Sequence, residues 1–79
     1  MTVKEAVAFI CNSQGITLTQ FAERMGLDKS TVSRSLSRRD GMGLRVETLV
    51  KWMEESEYQI VLQSANNDDE LIIDGEPEE

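Results

Sequence analysis

Histidine is missing from this 79-residue chain, and cysteine occurs once, as Cys11. Without histidine, the usual zinc-ligand sets and imidazole acid–base devices cannot be assembled. A single cysteine cannot close an intramolecular disulfide, and Cys11 reads as a small buried hydrophobe, not a redox sensor. No apolar run is long enough for a membrane span or a signal-peptide core. A phosphate-cradling glycine loop and a nucleophile–base pair are also lacking. These absences point away from an enzyme, a metal, a cofactor and a membrane, and towards a cytoplasmic protein. At this length one domain is expected, with a core so small that the fold is nearly all helix or is completed by a partner chain.

Basic residues are missing from one end. The net charge is −7, and residues 58–79 hold seven acids and no base. Residues 1–57 carry eight acidic and eight basic side chains and are neutral. Within residues 29–51 the balance reverses to +4, from Lys29, Arg34, Arg38, Arg39, Arg45 and Lys51 against Asp40 and Glu47. Screening confines charge effects to roughly 10 Å at moderate salt, so a local basic patch can meet phosphate inside an acidic chain.

Helix signals fill the first three-quarters of the chain. Thr2 with Glu5, and Thr17 with Gln20, have the spacing of capping boxes. A first helix over 2–13 follows from Val3, Val7, Ile10 and Cys11, with Ala6 and Phe9 beside them. The sequence from Asn12 to Gly15 ends it, and Ile16 is placed to staple the next helix onto Phe21. Phe21, Ala22 and Met25 form the stripe of a short second helix, which Gly26 stops in a left-handed conformation. Leu27 returns to the core, and Asp28 caps a third helix from Lys29 to Arg38 with Val32 and Leu36 inward. A loop with Gly41 and Gly43 leads to a fourth helix at about 45–56, with Val46, Leu49, Val50 and Met53 as its core stripe. Trp52 falls on its flank, at the core edge or at a dimer contact.

The period then changes from helical to alternating. Residues 58–63 and 70–73 read as a hairpin around the turn-forming Asn66-Asn67-Asp68-Asp69. A lone hairpin is unstable in water, so it must pack on the helices or pair with another chain. The expected organisation is a helical domain at 1–57, a β-prone dimerisation or partner-binding segment at 58–74, and a disordered acidic tail at 75–79.

The exposed faces of the third helix carry small polar residues at its start and arginines farther along. Such a helix suits a DNA major groove. Phe21–Arg34, F-A-E-R-M-G-L-D-K-S-T-V-S-R, resembles the Cro and C1-type (lambda-repressor-like) helix-turn-helix family. That resemblance implies a mainly α bundle of four or five helices, here with a C-terminal strand or hairpin. It further implies a homodimer bound to a palindromic double-stranded operator. By the resemblance, Lys29, Ser30, Ser33 and Arg34 fall where base edges are met, and Thr17 and Thr31 near phosphates. Two departures stand out: Leu18 stands where the family often has glutamine, and Leu36-Ser37-Arg38-Arg39 stands where many members have Glu-Arg-Gly or a similar sequence. Arg38 and Arg39 lie past the groove-facing turns and read as phosphate clamps, as does Arg45 at the start of the fourth helix.

The leading expectation is therefore a phage or prophage repressor that blocks polymerase by occlusion. The alternative is an antitoxin or inhibitor whose acidic C-terminal segment binds a partner protein, with DNA binding used for autoregulation.

Overall fold

A computed structural model describes residues 1–75. The element order is α1 (Val3–Gln14), α2 (Leu18–Arg24), α3 (Lys29–Ser37), a short 3₁₀-type turn at Arg38–Gly41, α4 (Val46–Glu55), β1 (Ile60–Gln63) and β2 (Glu70–Ile73). The chain is thus mainly helical, with a small antiparallel sheet. It divides into two compact units, Met1–Leu44 and the segment from Arg45 onward.

In the first unit both capping boxes form. The Glu5 N–H donates to Thr2 Oγ1 at 3.2 Å, and the Thr2 N–H donates to Glu5 Oε1 at 3.1 Å. At α2 the same reciprocal pair joins Thr17 and Gln20, at 3.2 and 2.8 Å. Two of the orphan donors at each helix start are thereby satisfied. These hydrogen bonds also hold the Glu5 carboxyl below its ordinary range.

Helix ends obey one rule at three places. After α1 the Ile16 N–H reaches back to the Cys11 carbonyl at 3.0 Å, and after α2 the Leu27 N–H reaches the Ala22 carbonyl at 2.9 Å. After α4 the Tyr58 N–H reaches the Met53 carbonyl at 2.8 Å. Each is the six-to-one bond of a Schellman end, which needs a left-handed residue just before the donor. Gly15 (φ 64°) and Gly26 (φ 72°) fill that position after α1 and α2, but Glu57 (φ 65°) fills it after α4. The third helix ends differently, at Ser37 and not at the expected Arg38. Arg38 is extended, and Arg39 (φ 51°) and Asp40 (φ 55°) are consecutive left-handed residues before Gly41. A left-handed pair turns the chain sharply, which a continued helix cannot do.

The core of the first unit contains Val7, Ile10, Cys11, Phe21, Ala22, Met25, Val32 and Leu36. Burial pushes the Cys11 thiol up, although Arg24 opposes that shift. Two expected core residues lie outside. Phe9 is 58% exposed and Leu27 is 37% exposed. At about 100° per residue Phe9 points away from the Val7–Ile10–Cys11 stripe, so helical geometry overrides its aromatic character. Leu27 follows the left-handed Gly26, where the chain leaves α2.

In the second unit α4 buries Val50, Trp52, Met53 and the following Ser56. The expected stripe is corrected at both edges: Val46 is 67% exposed and Trp52 only 1%. The larger indole takes the interior, and the buried face rotates toward Trp52, Met53 and Ser56. Ser56 is compatible with burial because its hydroxyl donates to the Trp52 carbonyl at 2.8 Å.

β1 and β2 pair antiparallel with Ile60 opposite Ile73, Val61 opposite Ile72, Leu62 opposite Leu71 and Gln63 opposite Glu70. The Ser64 N–H donates to the Asp69 carbonyl and closes the loop. Inside it, Ser64 Oγ accepts from the Asn66 and Asn67 N–H groups, and Asn67 Oδ1 accepts from the Asp69 N–H. The turn chemistry expected of this segment is what shapes it. Of the expected tail, only Gly75 lies within the described residues.

Candidate nucleic-acid interface

The third helix starts at Asp28, whose Oδ1 accepts from the Thr31 N–H at 2.8 Å and from Ser30 Oγ at 2.9 Å. The Thr31 and Ser30 hydrogen bonds, with Arg34 nearby, hold the Asp28 carboxyl below its ordinary value of 3.8. Ser30 spends its hydroxyl proton on this cap. Its lone pairs remain outward, so towards a base edge it is an acceptor, suited to an adenine or cytosine amino group.

Val32 and Leu36 fix the inward side of α3. The opposite side then carries Ser30, Arg34 and Ser37, spaced i, i+4 and i+7, all exposed. Arg34 lies back along the helix, with Nε donating to the Ser30 carbonyl at 3.3 Å. Its two terminal nitrogens have no hydrogen-bond partner among the described residues. The guanidinium is thereby oriented without being consumed. Lys29 is exposed on the first turn, and Thr31 is half-buried at the flank.

Ser33 is set apart from Ser30 and Arg34. It is half-buried and, with Ser37, lines a groove of about 480 Å³ against Lys4, Ala8 and Cys11 of α1. Lys4 is the cation that the sequence pattern passed over. It lies outside the resembling segment, and its signal is that α1 packs against α3. Ser37, one turn beyond Ser33, was visible as an outward residue but was not among the sites expected.

Arg38 and Arg39 are exposed and share a cavity of about 220 Å³ with Ser35, Gly43 and Leu44. Two guanidinium groups and a hydroxyl around one concavity form an anion-compatible surface. The Thr17 hydroxyl is engaged in its capping box with Gln20. Arg45 belongs to the second unit, where it precedes α4 and stands 3.8 Å from Glu47, both well exposed. Arg45 is thus not brought to α3 by the first unit.

Among the described residues no three metal-ligating side chains converge, and no helix is long and apolar enough to cross a membrane. Comparison with protein-family models, with curated proteins and with solved structures returns no match.

Proposed function

We propose that this chain is a sequence-specific DNA-binding transcriptional regulator, a small lambda-repressor-like repressor of phage or prophage type. In this reading a homodimer lies on a palindromic operator with α3 in the major groove. The observation that carries it is Arg34, held on the outward face of α3 with its terminal nitrogens available. Those nitrogens match guanine O6 and N7, a bidentate pair worth roughly 1–3 kcal/mol of discrimination. Lys29 and Ser30 supply the remaining base-edge contacts, whereas Ser33, expected beside them, lines the groove against α1. Thr17, Thr31, Arg38, Arg39 and Arg45 meet phosphate and set register without reading sequence. A bound dimer represses by occupying the site that polymerase needs.

The test is a fluorescence titration on DNA from just upstream of the coding sequence, against random DNA, at several salt concentrations. Wild type binds its own site more tightly, and Arg34→Ala loses that preference. Arg38→Ala keeps the preference but lowers the slope of log affinity against log salt by about 0.9, the share of one phosphate. A wild-type chain that does not distinguish its own site from random DNA refutes the proposal.

A further inference from the structure

The groove of about 480 Å³ between α1 and α3 carries no negative charge, in a chain whose net charge is −7. Lys4 is the one charged side chain lining it, and its ammonium has no ion pair among the described residues. Beside Lys4 stand the Asn12 amide and the Ser33 and Ser37 hydroxyls. None of these side chains has a hydrogen-bond partner among the described residues. Asn12 and Ser37 are exposed and Ser33 is half-buried, so the polar groups form a wet rim. The floor is different: Val7, Cys11 and Leu36 are buried, and half-buried Ile16 and Leu18 continue it as an apolar wall. Burial raises the Cys11 thiol above its ordinary value of 9.0, so at neutral pH the floor is uncharged. An apolar floor with a few convergent polar groups is the build of a small-molecule site, and the volume lies within the usual range of roughly 300–1,000 Å³.

We propose that this groove binds a small monocarboxylate with an apolar body, of the kind a medium-chain organic acid supplies. Charge selects the head group. The single ammonium of Lys4 matches one carboxylate, whereas a phosphate dianion is left partly unpaired. Hydrogen bonding agrees with that choice. An ionised carboxylate only accepts, and the Lys4 ammonium, the Asn12 amide and the two serine hydroxyls can all donate to it. The floor selects the body. Val7, Cys11 and Leu36 gain from contact with an apolar chain, which removes their remaining surface from water. A nucleic-acid backbone reaching Lys4 leaves that floor uncovered. An amine is repelled by Lys4, and an alcohol leaves the ammonium without a counter-charge.

Titration of the full chain with sodium octanoate, followed by backbone amide chemical shifts, tests the site. Saturable shifts are expected at Ala8, Cys11 and Asn12 of α1 and at Ser33 and Ser37 of α3. Octylammonium and 1-octanol carry the same chain and should bind more weakly than octanoate. Lys4→Gln keeps the length of the side chain but loses its charge, and weakens octanoate about two- to fivefold, the worth of one exposed ion pair. Ala8→Glu is the second variant. It places a carboxylate four residues after Lys4 on the same helix face, where it competes with the ligand for the ammonium. Both positions are exposed, so both variants should melt like wild type. An octanoate titration with no saturable shift at the groove overturns the proposal. So do shifts centred instead on the exposed apolar residues of the hairpin, Val61, Leu62, Leu71 and Ile72. Binding of 1-octanol as tight as that of octanoate, or unweakened binding by Lys4→Gln, removes the role of charge and overturns it equally. The titration contains no DNA, so none of these results bears on whether α3 reads an operator.

Discussion

Glu57 occupies a position that glycine fills at two other helix ends of the same chain. Its φ of 65° sets up the bond from the Tyr58 N–H to the Met53 carbonyl. A left-handed L-residue costs roughly 1–2 kcal/mol from the approach of Cβ to the carbonyl oxygen. Glycine escapes that cost but brings back roughly 0.5–1 kcal/mol of chain entropy in the unfolded state. Glu57→Gly is therefore expected to stabilise the protein by about 0.5–1 kcal/mol. Near a helix C-terminus, loss of the carboxylate adds a little more, because the aligned carbonyls disfavour negative charge. Glu57→Ala separates the two contributions: it removes the charge but keeps a Cβ in the left-handed region. A gain of 1 kcal/mol raises the melting midpoint of a domain this size by roughly 4–8 °C, measurable by far-ultraviolet circular dichroism. The expected order of midpoints is Glu57→Gly highest, with Glu57→Ala near wild type. Equal midpoints for Glu57→Gly and Glu57→Ala would refute the backbone argument and leave charge as the cause.

Three other outcomes follow from the same geometry. Gly41 combines a φ of +80° with a site where a Cβ would stand 2.9 Å from Val3 Cβ and 3.3 Å from Leu36 Cδ2. Gly41→Ala should cost about 2–3 kcal/mol in urea unfolding, and a loss below about 0.5 kcal/mol contradicts the clash. The two phenylalanines should part company. Phe21→Ala is expected to cost roughly 3–5 kcal/mol, but Phe9→Ser about 0.5 kcal/mol or less. Asp28 has a folded pKa below its unfolded value, so the unfolded chain binds its proton first as pH falls. Its contribution is complete above the ordinary value of 3.8 and fades as pH drops through the lower folded value. Asp28→Asn should flatten stability against pH in that acidic window, and an unchanged slope there removes the cap from the account.

Local chemistry was the legible part of the fold. Thr2 with Glu5, and Thr17 with Gln20, announced two helix starts because a capping box is written in four consecutive residues. Gly15 and Gly26 announced two stops for the same reason. The stop at Glu57 carries no such mark, since its side chain gives no sign of the conformation that the surrounding bonds impose. Burial was less legible because residue type and helical direction disagree. Phe9 is apolar but faces outward on α1, and Trp52 lies off the expected stripe but has the volume to claim the interior. At the candidate interface, the placement of Arg34 opposite Val32 and Leu36 was readable from helical period alone. That Ser33 turns into a groove with Lys4 was not, because it depends on how two helices separated by a turn pack together.

The turn after α3 sets two demands against each other. Arg39 and Asp40 hold a backbone shape that glycine would adopt more cheaply, yet glycine would remove a guanidinium beside Arg38. Arg39→Gly should make the protein more stable and a poorer ligand for polyanions, moving melting midpoint and affinity in opposite directions. At this one position backbone ease and surface charge cannot be changed separately by glycine, because the same substitution relieves the left-handed Cβ and removes the guanidinium.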